Sequence, residues 1–235
     1  MKRSLVFDVN ETLLDLRGLD APFNEIFGGA DARQEWFQQL LQNMLVSIAI
    51  DEYQDFGALG RGALEMVASR RGRSLSDGEK QRLARAIAEL PPHPDVRPAL
   101  ERLRDEGYRL ATLTNSTKAV AEKQLAHAGL RPLFDEVFSA DEARRLKPAP
   151  EPYRMVAERL GVGVDRIRLI AAHAWDVAGA LHAGCAAAFV ARPGKVLSPS
   201  AERPDVEGRD LAEVASRILE VEASEAEEAA ESIKH

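Results

Sequence analysis

Four short segments place reactive side chains where the strands of an α/β sheet would end. They are Phe7-Asp8-Val9-Asn10-Glu11-Thr12, Leu113-Thr114-Asn115-Ser116, Leu146-Lys147-Pro148 and His173-Ala174-Trp175-Asp176. Asp8 follows the apolar run Leu5-Val6-Phe7. Thr114 and Asn115 follow the run ending at Leu113, and Asp176 comes shortly after Leu169-Ile170-Ala171-Ala172. In open parallel sheets ligands sit at the carboxyl ends of the strands. One site could therefore gather a carboxylate, a hydroxyl and an amide, a lysine and a second carboxylate. Such a set suits covalent catalysis with a carboxylate nucleophile.

Each segment also has a plain structural reading. An Asp at a strand end often closes a turn, and Asp15 suits the cap of the helix that follows. Thr114 and Asn115 suit a helix start, whose free N–H groups would also bind an anion. A lone lysine is ordinarily a solvated charge, but Pro148 keeps Lys147 extended. Asp176 fits a helix N-terminus on dipole grounds alone. Trp175 fits a core or a pocket wall, and His173 a turn or a site. The signal is the ordered combination.

The elements that must hold these residues follow from periodicity. Ser4 to Phe7 predicts a buried strand, as do Tyr108–Leu113, Ile167–Ala172 and Ala186–Val190. Helices are predicted over 117–128, 151–160, 176–183 and 211–221. Strands alternating with helices imply a Rossmann-like parallel sheet with helices on both faces. Between residues 16 and 92 the pattern changes. Trp36, Phe37, Leu40, Leu41, Met44, Leu45 and Ile48 recur at helical spacing, and Ala63, Met66 and Val67 suggest a second helix. Ser76-Asp77-Gly78-Glu79 reads as the start of a third. Pro91-Pro92-His93-Pro94 ends the stretch. The expectation is a core of residues 1–15 and 93–221, an all-helical cap inserted at 16–92, and an acidic tail over 222–235 that is frayed or disordered.

Composition narrows the partners. Of 235 residues 45% are hydrophobic and 29% charged, and the net charge is −7. Nucleic acid needs a basic face, so it is not expected. No apolar run approaches the ~20 residues of a membrane helix. A single cysteine, Cys185, cannot form an internal disulfide. The expected place is the cytoplasm.

The ordered motifs resemble the haloacid dehalogenase superfamily: Asp8 with Thr12, then Thr114, then Lys147, then Asp176. Lys147-Pro148 with Tyr153, Ala174-Trp175-Asp176 and the helical insertion with Trp36, Leu41 and Phe56 are most similar to the L-2-haloacid dehalogenases. The resemblance implies that Asp8 attacks the halogen-bearing carbon of a small 2-halocarboxylate, inverting it and forming an ester that water hydrolyses. It assigns Asp8, Thr12, Lys147 and Asp176 to catalysis, with Asp176 serving the water. It assigns Asn10, Phe37, Leu41, Phe56, Thr114, Asn115, Tyr153, His173 and Trp175 to the substrate pocket. It implies no cofactor or metal, and a homodimer.

Departures from that group are equally specific. Phe37 stands where the group carries an arginine that reaches halide and substrate, and Arg33 lies one turn earlier. His173 and Ala171 stand for an Asn and a Ser, and Asn10 for an aromatic residue. Weak activity on chloroacids, improved by Phe37→Arg, is the resulting expectation. The superfamily's phosphatases need acids where this chain has Asn10 and Ala172, which disfavours magnesium chemistry. Hydrolysis of another small substrate, and a non-catalytic ligand-binding role, remain the alternatives.

Overall fold

The computed structural model describes residues 2–29 and 31–232. Six parallel strands form one sheet: β1 (Ser4–Phe7), β2 (Leu110–Thr114), β3 (Glu136–Ser139), β4 (Ile167–Ala171), β5 (Ala186–Val190) and β6 (Val206–Gly208). Their order is β3-β2-β1-β4-β5-β6, so the winding reverses beside β1, where α/β sheets open a crevice at the strand ends.

The strands bury alternate residues in two apolar layers, as their two-residue period requires. Leu5, Phe7, Ile170, Ala188 and Val190 pack with α5 (Val96–Asp105), α6 (Lys118–His127) and α9 (Leu211–Ser232). Val6, Leu169, Ala171, Ala187 and Phe189 pack with α7 (Pro150–Leu160) and α8 (Ala174–Ala183). The sheet is thus covered on both faces.

The insertion is helical: α1 (Asp20–Phe27), α2 (Ala32–Ala49), α3 (Phe56–Arg70) and α4 (Asp77–Ala88). Ser76 and Glu79 cap α4 reciprocally, the pairing their spacing predicts. Asp15 caps the short turn Leu16–Leu19 by accepting from Arg17 N at 2.9 Å. Entry and exit of the insertion run side by side. Asp15 N donates to Pro91 O at 2.8 Å and His93 N to Leu13 O at 2.9 Å.

Two corrections concern the edges. Strands β3 and β6 were not expected; they are the sheet margins, four and three residues long, and lack the continuous apolar run of the central strands. The tail does not begin at residue 222, because α9 continues unbroken to Ser232. Glu222 pairs with Arg3 at 2.8 Å and with the buried Arg168 of β4 at 3.2 Å. These cations give a charged residue a reason to stay in the helix. Residues 233–235 lie outside the described residues.

Candidate active site

Asp8 leaves the end of β1 with its N–H donated to Ile170 O at 3.0 Å. A tight turn follows, in which Leu13 N and Leu14 N both donate to Val9 O and Glu11 adopts a left-handed φ of 64°. That turn brings Thr12 back over the strand end. Its hydroxyl donates to Asp8 Oδ2 at 2.7 Å and accepts from Ala172 N at 2.9 Å. One threonine thereby ties the ends of β1 and β4 together.

Lys147 is wholly buried, and its ammonium donates to Asp8 Oδ1 at 3.0 Å, Asp176 Oδ2 at 2.5 Å and Leu113 O at 2.8 Å. Three protons meet three acceptors, the full capacity of the group. Burial alone would lower its pKa, but the facing Asp176 and Asp8 keep it above the usual lysine value. Burial likewise works against ionising Asp8, yet Lys147, His173 and Thr12 hold its carboxyl well below the ordinary range. Asp176 is pushed up, by burial and by the Asp8 charge, against the pull of Lys147. Tyr153 donates to Asp176 Oδ1 at 2.5 Å, so both oxygens of that carboxylate are engaged.

Asn115 explains how an extended loop can bury a lysine. Its Oδ1 accepts from Lys147 N at 2.8 Å and its Nδ2 donates to Lys147 O at 3.2 Å. Nδ2 also lies 3.1 Å from Met44 Sδ on α2. The side chain grips the loop that carries Lys147, beside the pocket role expected for it. Thr114 closes its own turn, its hydroxyl accepting from Ser116 N at 3.2 Å.

His173 is also drawn in. Its Nε2 lies 2.8 Å from Glu11 Oε2, and its Nδ1 lies 3.3 Å from Asp8 Oδ2, off the line of a hydrogen bond. Burial lowers its pKa, but Asp8 and Glu11 on either side outweigh this and raise it. Lys195 donates to Glu11 Oε2 at 2.6 Å. Glu11 and Lys195 were missed as site residues. Lys195 was findable, because Arg192-Pro193-Gly194-Lys195 follows β5 at the carboxyl end of the sheet.

The cap supplies apolar surface. Phe37 lies 5.9 Å from the His173 ring, and His173 stacks on Trp175 at 5.0 Å. Lys195 Nζ stands 5.5 Å from the Phe37 ring centre. A cavity of about 760 Å³ opens among Asn10, Trp36, Phe37, Leu40, Phe56 and Ser116. Leu40 lines it; Leu41, the expected residue, is only packed against the core beside it. A second cavity of about 400 Å³ shares Phe37 and is bordered by Glu11, Arg33 and Lys195. Arg33 pairs with Asp20, so its charge is already answered within the cap.

The position between the two buried carboxylates is filled by an ammonium. Asp8 and Asp176 share Lys147, with Asn10 and Ala172 contributing no acid. Magnesium seeks several carboxylate and water oxygens, and this donor set does not fit it.

The model of the haloacid dehalogenase-like hydrolases matches residues 2–184. The chain belongs to that family. Among curated haloacid dehalogenases, (S)-2-haloacid dehalogenase H-109 of Pseudomonas putida is 26% identical over 92% of this chain and 97% of its own length. (S)-2-haloacid dehalogenase 4A of Burkholderia cepacia is 31% identical over 76% of this chain and 78% of its own. The L-2-haloacid dehalogenase of Xanthobacter autotrophicus with chloropropionic acid covalently bound superposes with a TM-score of 0.87 at 26% identity, covering 93% and 99% of the two chains. The matched span of the family model contains every one of Asp8, Thr12, Asn115, Lys147, His173 and Asp176. Among the described residues no helix is long and apolar enough to cross a membrane.

Proposed function

We propose that the protein hydrolyses small (S)-2-halocarboxylic acids through an ester on Asp8, with inversion at the halogen-bearing carbon. The observation that carries this reading is a buried aspartate held ionised at the carboxyl end of β1, with Lys147 on one oxygen and Thr12 on the other. A desolvated, oriented carboxylate is a competent nucleophile toward carbon. It attacks opposite the halide, the carbon–oxygen bond forms as the carbon–halogen bond breaks, and the halide leaves with the bonding pair. Water then attacks the carboxyl carbon of the ester. Negative charge develops on the former Asp8 oxygen, where Lys147 already stands at 3.0 Å and needs no reorganisation to stabilise it. The products are the 2-hydroxy acid and free Asp8.

Asp176 holds the ammonium of Lys147, and Tyr153 holds Asp176. Asn115 fixes the loop that carries the lysine. Trp36, Phe37, Leu40 and Phe56 enclose the substrate's apolar portion. The names of the relatives support the acid class; the homodimer rests on the resemblance alone, and the cytoplasm on the sequence reading.

Intact-mass measurement after mixing with a panel of 2-haloacids tests the reading. A mass increase equal to the acyl fragment, absent in freshly prepared Asp8→Asn protein, is expected. Full turnover by that variant, with deamidation excluded, removes Asp8 as nucleophile. Absence of an adduct and of halide release across the panel leaves hydrolysis of another small substrate or a non-catalytic binding role instead.

A further inference from the structure

Two buried ring nitrogens that can donate, His173 Nδ1 and Trp175 Nε1, have no hydrogen-bond partner. They belong to rings stacked 5.0 Å apart. The histidine nitrogen is 3.3 Å from Asp8 Oδ2, and Lys147 Nζ is 5.9 Å from the Trp175 ring centre. Buried polar groups are nearly always satisfied, and an exception in a native site calls for an absent partner. An anion supplies what both donors lack.

The surroundings select which donor carries charge. The rings of Phe37 and Trp175 both lie against the His173 ring, at 5.9 and 5.0 Å. Glu11 takes Nε2 and is itself held by Lys195 at 2.6 Å and, through its carbonyl, by His93 at 3.2 Å. The titratable and charged groups around the imidazole are Asp8 and Glu11 from the β1 turn, with Lys195 behind Glu11 and Lys147 beyond Trp175. The nearest two are carboxylates.

We infer that His173, held between Asp8 and Glu11 with Trp175 beside it, is the group that meets the departing halide, and that its proton fits the site to fluoride. This rests on the dehalogenase reading above. Fluoride is the poorest leaving group of the halides and the strongest hydrogen-bond acceptor, so it gains most from a charged N–H. The balance is closed. Asp8 forms the carbon–oxygen bond, and the carbon–fluorine bond breaks with its pair on fluorine. The Nδ1 proton passes to fluoride, leaving a neutral imidazole. That imidazole then takes a proton from the water that hydrolyses the ester, and the imidazolium is restored. The same nitrogen acts as acid and then as base, the paired role that general acid–base catalysis by histidine uses.

The test compares (S)-2-fluoropropionate with (S)-2-bromopropionate by rapid quench and intact mass, reading the rate of ester formation on Asp8. Wild type, His173→Asn and Trp175→Phe are measured side by side. The fluoride-to-bromide rate ratio is expected to fall about 10- to 150-fold in His173→Asn, the span of one charge-assisted hydrogen bond. It should fall less in Trp175→Phe, which keeps the ring and removes a neutral donor. Bromide ester formed in the same sample reports a folded site. An unchanged ratio, with both rates reduced equally, would place the substrate carboxylate at these donors and overturn the proposal. Nitrogen-15 NMR of histidine-labelled wild type gives an independent reading: both His173 nitrogens protonated at pH 7 supports it, and a neutral ring overturns it. No Asp8 ester from either acid in wild type removes the dehalogenase reading itself, and this proposal with it.

Discussion

Replacing Lys147 by methionine asks how much of the site's order depends on one ammonium. Its nitrogen touches Asp8 Oδ1 at 3.0 Å and Asp176 Oδ2 at 2.5 Å, with no solvent exposure. Removing one partner of a buried ion pair costs about 3–5 kcal/mol. Here two carboxylates are orphaned together. Their oxygens flank one nitrogen and so stand within about 5.5 Å of each other, where an effective dielectric of ~20 gives a repulsion of at least about 3 kcal/mol. That corresponds to roughly 2 pH units of added proton affinity, so Lys147→Met should take up a proton on folding. A carboxyl whose folded pKa is raised contributes stability that is present at low pH and lost as pH rises through the raised value. The variant is therefore expected to lose about 3–5 kcal/mol at pH 7.5 and distinctly less at pH 5. Urea unfolding at the two pH values measures this. Adding Asp176→Asn removes the like charge, so the double variant should exceed the single in stability at pH 7.5 and lose its pH slope. A loss that is the same at both pH values, with no recovery in the double variant, would refute the shared-ammonium account.

Other consequences follow from the same contacts. Gly179→Ala places a Cβ within 2.6 Å of Pro148 Cβ and O; overpacking of about 1–3 kcal/mol is expected, with a drop in ester formation because the displaced turn carries Lys147, and unchanged thermal stability would contradict it. Phe37→Arg should now reduce activity rather than raise it, since the new guanidinium would lie between Lys195 and His173; Phe37→Arg combined with His173→Asn should do better than the sum of the singles, a coupling that a double-mutant cycle reads directly. Activity should survive EDTA unchanged, and restoration by magnesium of an activity lost to chelator would move the protein to the metal-dependent branch.

The sequence made the centre of the molecule legible and its margins opaque, for a physical reason. Strands β1, β2, β4 and β5 are flanked on both sides, so they are dominated by apolar residues, with Arg168 the charged exception in β4. Edge strands β3 and β6 have a neighbour on one side only, and Glu136 and Glu207 within them mask the pattern. Helix α1, eight residues with Pro22 inside it, was likewise too short to declare itself. In the site, Asp8, Thr12 and Asp176 were readable because each closes or follows an expected strand, and Lys147 because Pro148 keeps it extended within the ordered set. What a side chain does after it arrives was less readable. Asn115 looked like a substrate ligand because it lies at a strand end. It also grips Lys147, because that loop has no sheet of its own to satisfy its backbone. Glu11 and Lys195 come together only because the β1 turn and the loop after β5 meet above the sheet.

The two departures from the dehalogenase pattern that looked like separate losses occupy one stack. Phe37 stands where the resemblance expects a cation, and its ring faces His173, which stands where the resemblance expects an amide. A guanidinium on α2 would face an imidazole already set between Asp8 and Glu11, and the two charges would oppose each other. An aromatic ring at 37 removes that conflict and shields the imidazole from water. On the halide proposal above, the charge near the leaving group passes from the cap to the junction of β4 and α8. Into the larger cavity the cap presents Trp36, Phe37, Leu40 and Phe56, all apolar, while its Arg33 pairs with Asp20. Substitutions on those cap positions should then change which acids fit and leave the ionisation of Asp8 alone, whereas substitutions at Glu11, His173 or Lys195 should do the reverse. Measuring chain-length preference and the pH dependence of ester formation on both sets separates the two halves of the site.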